Sequence, residues 1–250
     1  SSLISGGTIA APFAFKGGSY PGTGGTCGAT LAGGGTTCTV VVRYPPTTAA
    51  LHTSTLDIAY NDGAAAQTAS RPVQGSGVTP ATLTLSDSPS YDYGTKAVGS
   101  SNDKTLTLTH TAGGISASGL GGSGLAAPFD FKGGTYPGTG GTCGATLAVS
   151  ASCTLVVTYA PTGSGAHADT LDISYSDGAN VQTVSRNLSG TGAAAAVLTI
   201  SDGATYNYGN VTVASSLDKT FTITNSGGVT ATSMTGYGLA TPFSFKGGAY

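Results

Sequence analysis

The chain has 250 residues, 41 of them Gly, with only 8% charged side chains, no Trp, no Glu and a single Met, Met234. Strong helix formers are too scarce for a mainly helical protein; the 39% hydrophobic residues are too many for a disordered polar segment and too evenly spread for a membrane span. A formal charge of −2 leaves no basic footprint for nucleic acid and no polybasic run for an anionic membrane, so a soluble, folded, all-β chain with neither partner is expected.

The sequence starts at Ser1 without Met and without a charged-then-apolar leader, which reads as a mature segment or a window of something longer. Pro12 to Leu31, PFAFKGGSYPGTGGTCGATL, returns at Pro128 to Leu147 with two changes in 20, and PFSFKGGAY opens it again at Pro242. LDIAYNDG from Leu56 answers LDISYSDG from Leu171, LTLSDSPSYDYG from Leu83 answers LTISDGATYNYG from Leu198, and NDKTLTLTH from Asn102 answers LDKTFTITN from Leu217. A period of 114 to 116 residues is that of a whole domain in tandem, too long for a solenoid unit of roughly 20 to 50.

Within one period the sequence predicts strands at Thr82 to Ser86, Lys104 to His110, Phe129 to Lys132, Cys153 to Tyr159, Thr170 to Tyr175 and Val181 to Leu188. Thr and Leu alternate over 105–109, which places Leu on a core face and Thr on a wet one. Asp-Gly at 62–63 and 177–178 falls between two such runs and predicts a tight hairpin. About seven short strands in about 115 residues is the pattern of an immunoglobulin-like sandwich, so the expected fold is all-β, in tandem immunoglobulin-like repeats.

Cys27 with Cys38, and Cys143 with Cys153, give one pair per repeat. Pairing within each repeat is the simplest of three connectivities, would contribute about 2–3 kcal/mol per loop, and demands an oxidising compartment. Zinc is the competing reading, without a Cys-x-x-Cys or nearby His pair to support it. His52, His110 and His167 are scattered, and no Gly-x-Ser-x-Gly elbow accompanies His167 and Asp169, so they read as structural polar residues. Asp62, Asp177 and Asp202 suit turn chemistry, and no EF-hand-like spacing points to calcium. Neither a metal nor a cofactor is expected. Lys16, Lys132 and Lys246 follow Phe-x-Phe; an internal isopeptide bond would need them buried beside an acid, whereas alternation turns them outward. Tyr20, Tyr136 and Tyr250, all in Gly-Gly-x-Tyr, are the candidate interdomain or ligand-stacking aromatics. Asn187 and Asn210 match an N-glycosylation pattern, which reads as accidental.

YxYG, DKTxTxT, GGTCG, a Cys strand ending in Tyr-x-Pro-Thr, LDIxY and a closing Gly-rich Ser/Thr element, in this order, resemble the choice-of-anchor D repeats of bacteria, related to the ASPM, SPD-2 and Hydin group of immunoglobulin-like domains. The resemblance covers essentially the whole chain. It implies a large exported or surface protein, and a register in which 1–77 is the later part of one repeat, 78–192 a complete repeat and 193–250 the early part of a third, cut off. Open half sandwiches would expose strand edges and half a core. Either the parent chain continues on both sides, or the late strands of one molecule meet the early strands of another, head to tail.

The function expected is therefore a non-catalytic structural repeat of a bacterial extracellular or cell-surface fibre. The alternative is an adhesin-type module gripping a glycan or protein through the Gly-rich segments 113–124 and 133–146. Near identity of the loop around Cys143 to that around Cys27 suits scaffolding or avidity better than one specialised site. An enzyme is not expected, because candidate acid–base groups are few.

Overall fold

The computed structural model describes residues 8–248 and 250. Among them there is no helix, and fifteen strands follow in order: β1 (Ala14–Phe15), β2 (Val42–Arg43), β3 (Leu51–Asn61), β4 (Ala66–Ser76), β5 (Thr82–Leu85), β6 (Ser90–Ala97), β7 (Asn102–Ala112), β8 (Ala117–Ser123), β9 (Phe129–Phe131), β10 (Thr146–Leu147), β11 (Ser152–Tyr159), β12 (Gly165–Ser176), β13 (Val181–Ala193), β14 (Leu198–Ile200) and β15 (Ile223–Asn225). They fall in two compact units, Ser1–Thr82 with Ala112–Ser116, and Leu83–Thr111 with Ala117–Tyr250.

In the second unit, β5 to β13 make a sandwich. One sheet runs β10-β8-β12-β13-β6 and the other β5-β7-β11-β9. β8 pairs antiparallel with β10 and β12, β12 with β13, and β11 with β7 and β9, whereas Asn187–Ala193 of β13 runs parallel to Ser90–Ala97 of β6. The core is the inward half of each alternation: Leu106, Leu108, Leu155, Val157 and Tyr159 on one sheet, and Leu171, Ile173 and Leu188 on the other, nearly all without solvent access. Between the sheets the Tyr93 hydroxyl donates to the Val157 carbonyl at 2.8 Å, and the Tyr175 hydroxyl accepts from the Leu83 amide at 3.3 Å.

All six expected strands form, and three more are present. Ser90–Ala97 was hidden because its ladder is parallel and interrupted, with Gly94 at φ +69°. Ala117–Ser123 lies inside one of the segments read as a Gly-rich binding loop and is instead a strand between β10 and β12. The Asp-Gly hairpins exist, but four residues, 62–65 and 177–180, connect the strands rather than two.

In the first unit, β1 pairs with β2 and β3 with β4. These repeat the β9–β11 and β12–β13 pairings of the sandwich: Phe15↔Val42 matches Phe131↔Val157, and Leu56↔Arg71 matches Leu171↔Arg186. In the tail, β14 pairs with β15, and the Ser201 amide donates to the Thr222 carbonyl as Ser86 does to Thr107.

Candidate functional site: open sandwich faces

The residues that carry chemistry are engaged in holding strands. Both expected disulfides are formed, Cys27–Cys38 and Cys143–Cys153, with Cα atoms 4.8 and 4.9 Å apart. Beside each, two threonine hydroxyls meet at 3.1 Å, Thr26 with Thr39 and Thr142 with Thr154. Two disulfides fit an oxidising compartment.

His167 Nδ1 lies 2.9 Å from the Tyr159 hydroxyl, and His52 Nδ1 2.8 Å from that of Tyr44. The Tyr159 ring stacks on Phe129 at 4.8 Å and Tyr44 on Phe13 at 4.6 Å. Each tyrosine lies so close to the neighbouring strand that a Cβ on Gly190 or Gly75 would sit 2.7 or 2.6 Å from the ring. Glycine at these two positions is therefore a packing requirement. Burial raises the Tyr159 phenol above its ordinary value.

Asp62 and Asp177 do turn chemistry as expected. Each Oδ1 accepts from two backbone amides of its own hairpin, and each Oδ2 from a glutamine, Gln67 or Gln182. The backbone donors hold both carboxyls below the usual carboxylate range. Asp202 is also in a turn, at φ +68°, but its carboxylate serves other side chains: Lys219 at 2.7 Å and the Ser201 hydroxyl. Asp87 does the same with Lys104 and Ser86, and Lys104 lies 4.3 Å from the centre of the Tyr91 ring. Lys132 forms an exposed ion pair with Asp103 at 2.8 Å, not the buried pair that an isopeptide bond requires. No group of three or more His, Cys, Asp and Glu that could hold a metal is formed among the described residues.

Tyr20, Tyr136 and Tyr250 pack within their own repeats. Each ring meets the second Phe of its Phe-x-Phe: Tyr20 on Phe15 at 5.6 Å, Tyr136 on Phe131 and Tyr250 on Phe245 at 5.7 Å. Gly122 makes room for the second pair, since a Cβ there would come within 2.3 Å of Phe131 and 2.7 Å of Tyr136. Tyr250 stays exposed.

The feature that sequence reading could place but not describe is a pair of uncovered faces. Leu106 and Leu108 are fully buried, whereas their counterparts Phe221 and Ile223 are 40% and 43% exposed. Leu198 and Ile200 are exposed where Leu83 and Leu85 are buried. In the first unit, Leu56, Ile58, Tyr60 and Val73 are half-buried and Arg71 exposed, while Leu171, Ile173, Tyr175, Leu188 and Arg186 are buried. The strands themselves follow their partners. SCTLVVTY is one eight-residue strand beside β7, yet in TCTVVVRY only Val42–Arg43 is a strand. YDYG lies in β6 beside β13, but the matching YNYG of 206–209 is outside any strand.

No family model matches the chain, and no curated protein is similar to it in sequence. Among solved structures it is similar to the ASH / PapD-like domain of human CEP192 (PapD-like domain 7), at 19% identity over 46% of this chain and 88% of that one, with a TM-score of 0.36. It is also similar to the Vibrio cholerae VesB protease, at 14% identity over 45% of this chain and 32% of that one (TM-score 0.36). A family 123 glycoside hydrolase from Clostridium perfringens matches at 6% identity over 46% and 28% of the two chains (TM-score 0.30).

Proposed function

We propose that the chain is a non-catalytic structural repeat of an extracellular fibre, built of tandem immunoglobulin-like sandwiches of about 115 residues and completed head to tail by the strands of a neighbouring repeat. Residues 78–192 carry a whole module, 1–77 the later strands of one and 193–250 the earlier strands of another. The observation that supports this reading is the commitment of the recurring polar residues to scaffold bonds. His, Asp and Lys at matching positions of two repeats hold a tyrosine, a turn or a neighbouring strand. Pinned, hydrogen-bonded ladders in series give reach and resist extension.

The test is a glycan array and a panel of protease and glycosidase substrates probed with the full chain. No saturable binding and no turnover are expected. Saturable binding lost on substitution within 133–146 would instead establish the adhesin-type module, and turnover would establish an enzyme.

A further inference from the structure

We infer that the two uncovered faces fit each other in one register, so that the 198–225 segment of one copy closes the first unit of a second copy and transfers two anchors as it does so. This rests on the repeat reading above, and the complete sandwich supplies the template.

In that sandwich β7 lies beside β11 with Asp103 opposite Thr158. The Asp103 carboxylate accepts from the Thr158 hydroxyl at 2.6 Å and pairs with Lys132. The corresponding positions are Asp218 in the tail, and Arg43 and Lys16 in the first unit. Where the complete module has a threonine, the open face therefore has a second cation. Among the described residues no ion pair engages Lys16 or Arg43. Asp218 is held by Lys246, both well exposed. A strand bearing a carboxylate at this place thus gains two cations in exchange for one.

The aromatic anchor behaves alike. Tyr93 sits 5.9 Å from Phe129 and 5.3 Å from Tyr159 in the complete core. In the first unit Phe13 and Tyr44 are stacked as those two rings are, but the ring corresponding to Tyr93 is Tyr208, which rests 5.8 Å from Phe243 in the tail. In the joined form Tyr208 leaves Phe243 for Phe13 and Tyr44, and Asp218 leaves Lys246 for Lys16 and Arg43. Arg71 donates to the Ile200 carbonyl as Arg186 does to that of Leu85. Residues 242–246 are displaced, because β1 already fills the place beside β2. Pro72 stands where Asn187 opens the parallel ladder, so pairing with the 205–212 segment starts at Val73.

The occupant is a second copy of this chain, because the tail carries both the complementary charge and the exposed apolar residues that the open face lacks. Sedimentation velocity of the full chain over a concentration series tests it. Head-to-tail association is expected, weakened at least about tenfold by Asp218→Arg, which sets like charges together. It should be restored towards the parent by adding Arg43→Asp in the same chain, and tightened about two- to fivefold by Lys246→Ala, which frees Asp218. These side chains are exposed, so the variants keep the fold, checked by circular dichroism. A chain that stays monomeric throughout overturns the inference while leaving the spacer reading to the binding assay. Association that is indifferent to Asp218→Arg, or not rescued by the double exchange, overturns the register.

Discussion

At the scale of single residues, the stability of the sandwich rests on close approaches that only glycine permits. Gly190→Ala should destabilise by about 1–3 kcal/mol, because the new methyl meets the rigid Tyr159 ring rather than a mobile side-chain end. Gly144→Ala, with open space around the position, is the control and should stay within about 0.5 kcal/mol; urea unfolding of both variants decides. Titration supplies a second residue-level prediction. Lys104 and Ser86 hold Asp87 below the usual carboxylate range, Lys132 and Thr158 hold Asp103 there, and backbone amides do so for Asp62 and Asp177. A carboxyl whose folded value is depressed stabilises above its unfolded value of about 3.9, and that stabilisation is lost as pH falls through the folded value. Thermal stability should therefore fall below about pH 4. A fall setting in at pH 6 would point to other groups. The turn role of Asp62 and Asp177 was legible because Asp-Gly between alternating runs has a local cause. The Tyr–His–Gly cluster was not, since His167 and Gly190 reach the Tyr159 ring from β12 and β13, two strands of the opposite sheet.

At the scale of elements, alternation of Thr with Leu or Ile revealed the strands whose one face is buried, and missed those with another logic. Ala117–Ser123 reads as a loop because of its glycines, one of which, Gly122, yields space to Phe131 and Tyr136, a property of the facing element. The near-copies inside the chain also act as an internal control: matching sequence forms a long strand beside a partner and a short one without it. Hydrogen exchange on the dilute chain should show the Leu155–Val157 amides protected by orders of magnitude over Val40–Val42, although the two stretches are alike in sequence. Equal protection would mean that local propensity, not the neighbouring ladder, makes these strands. Reduction of Cys143–Cys153 should lower stability by about 2–3 kcal/mol, the loop-closure contribution of a loop this short, measured by unfolding with and without dithiothreitol.

At the scale of the whole molecule, the repeat was the most legible feature and the uncovered faces the least, because pattern shows which residues seek burial and not whether burial is achieved. The proposed role is mechanical: a sandwich pinned once by sulfur bears load in series with its neighbours. Pulling single chains by their ends tests that most directly. A discrete rupture of the module at 78–192 is expected, with a length gain that grows by about 3 nm when the ten-residue loop held by Cys143–Cys153 is released by reduction. Smooth extension without a discrete rupture, or a gain unchanged by reduction, would contradict it.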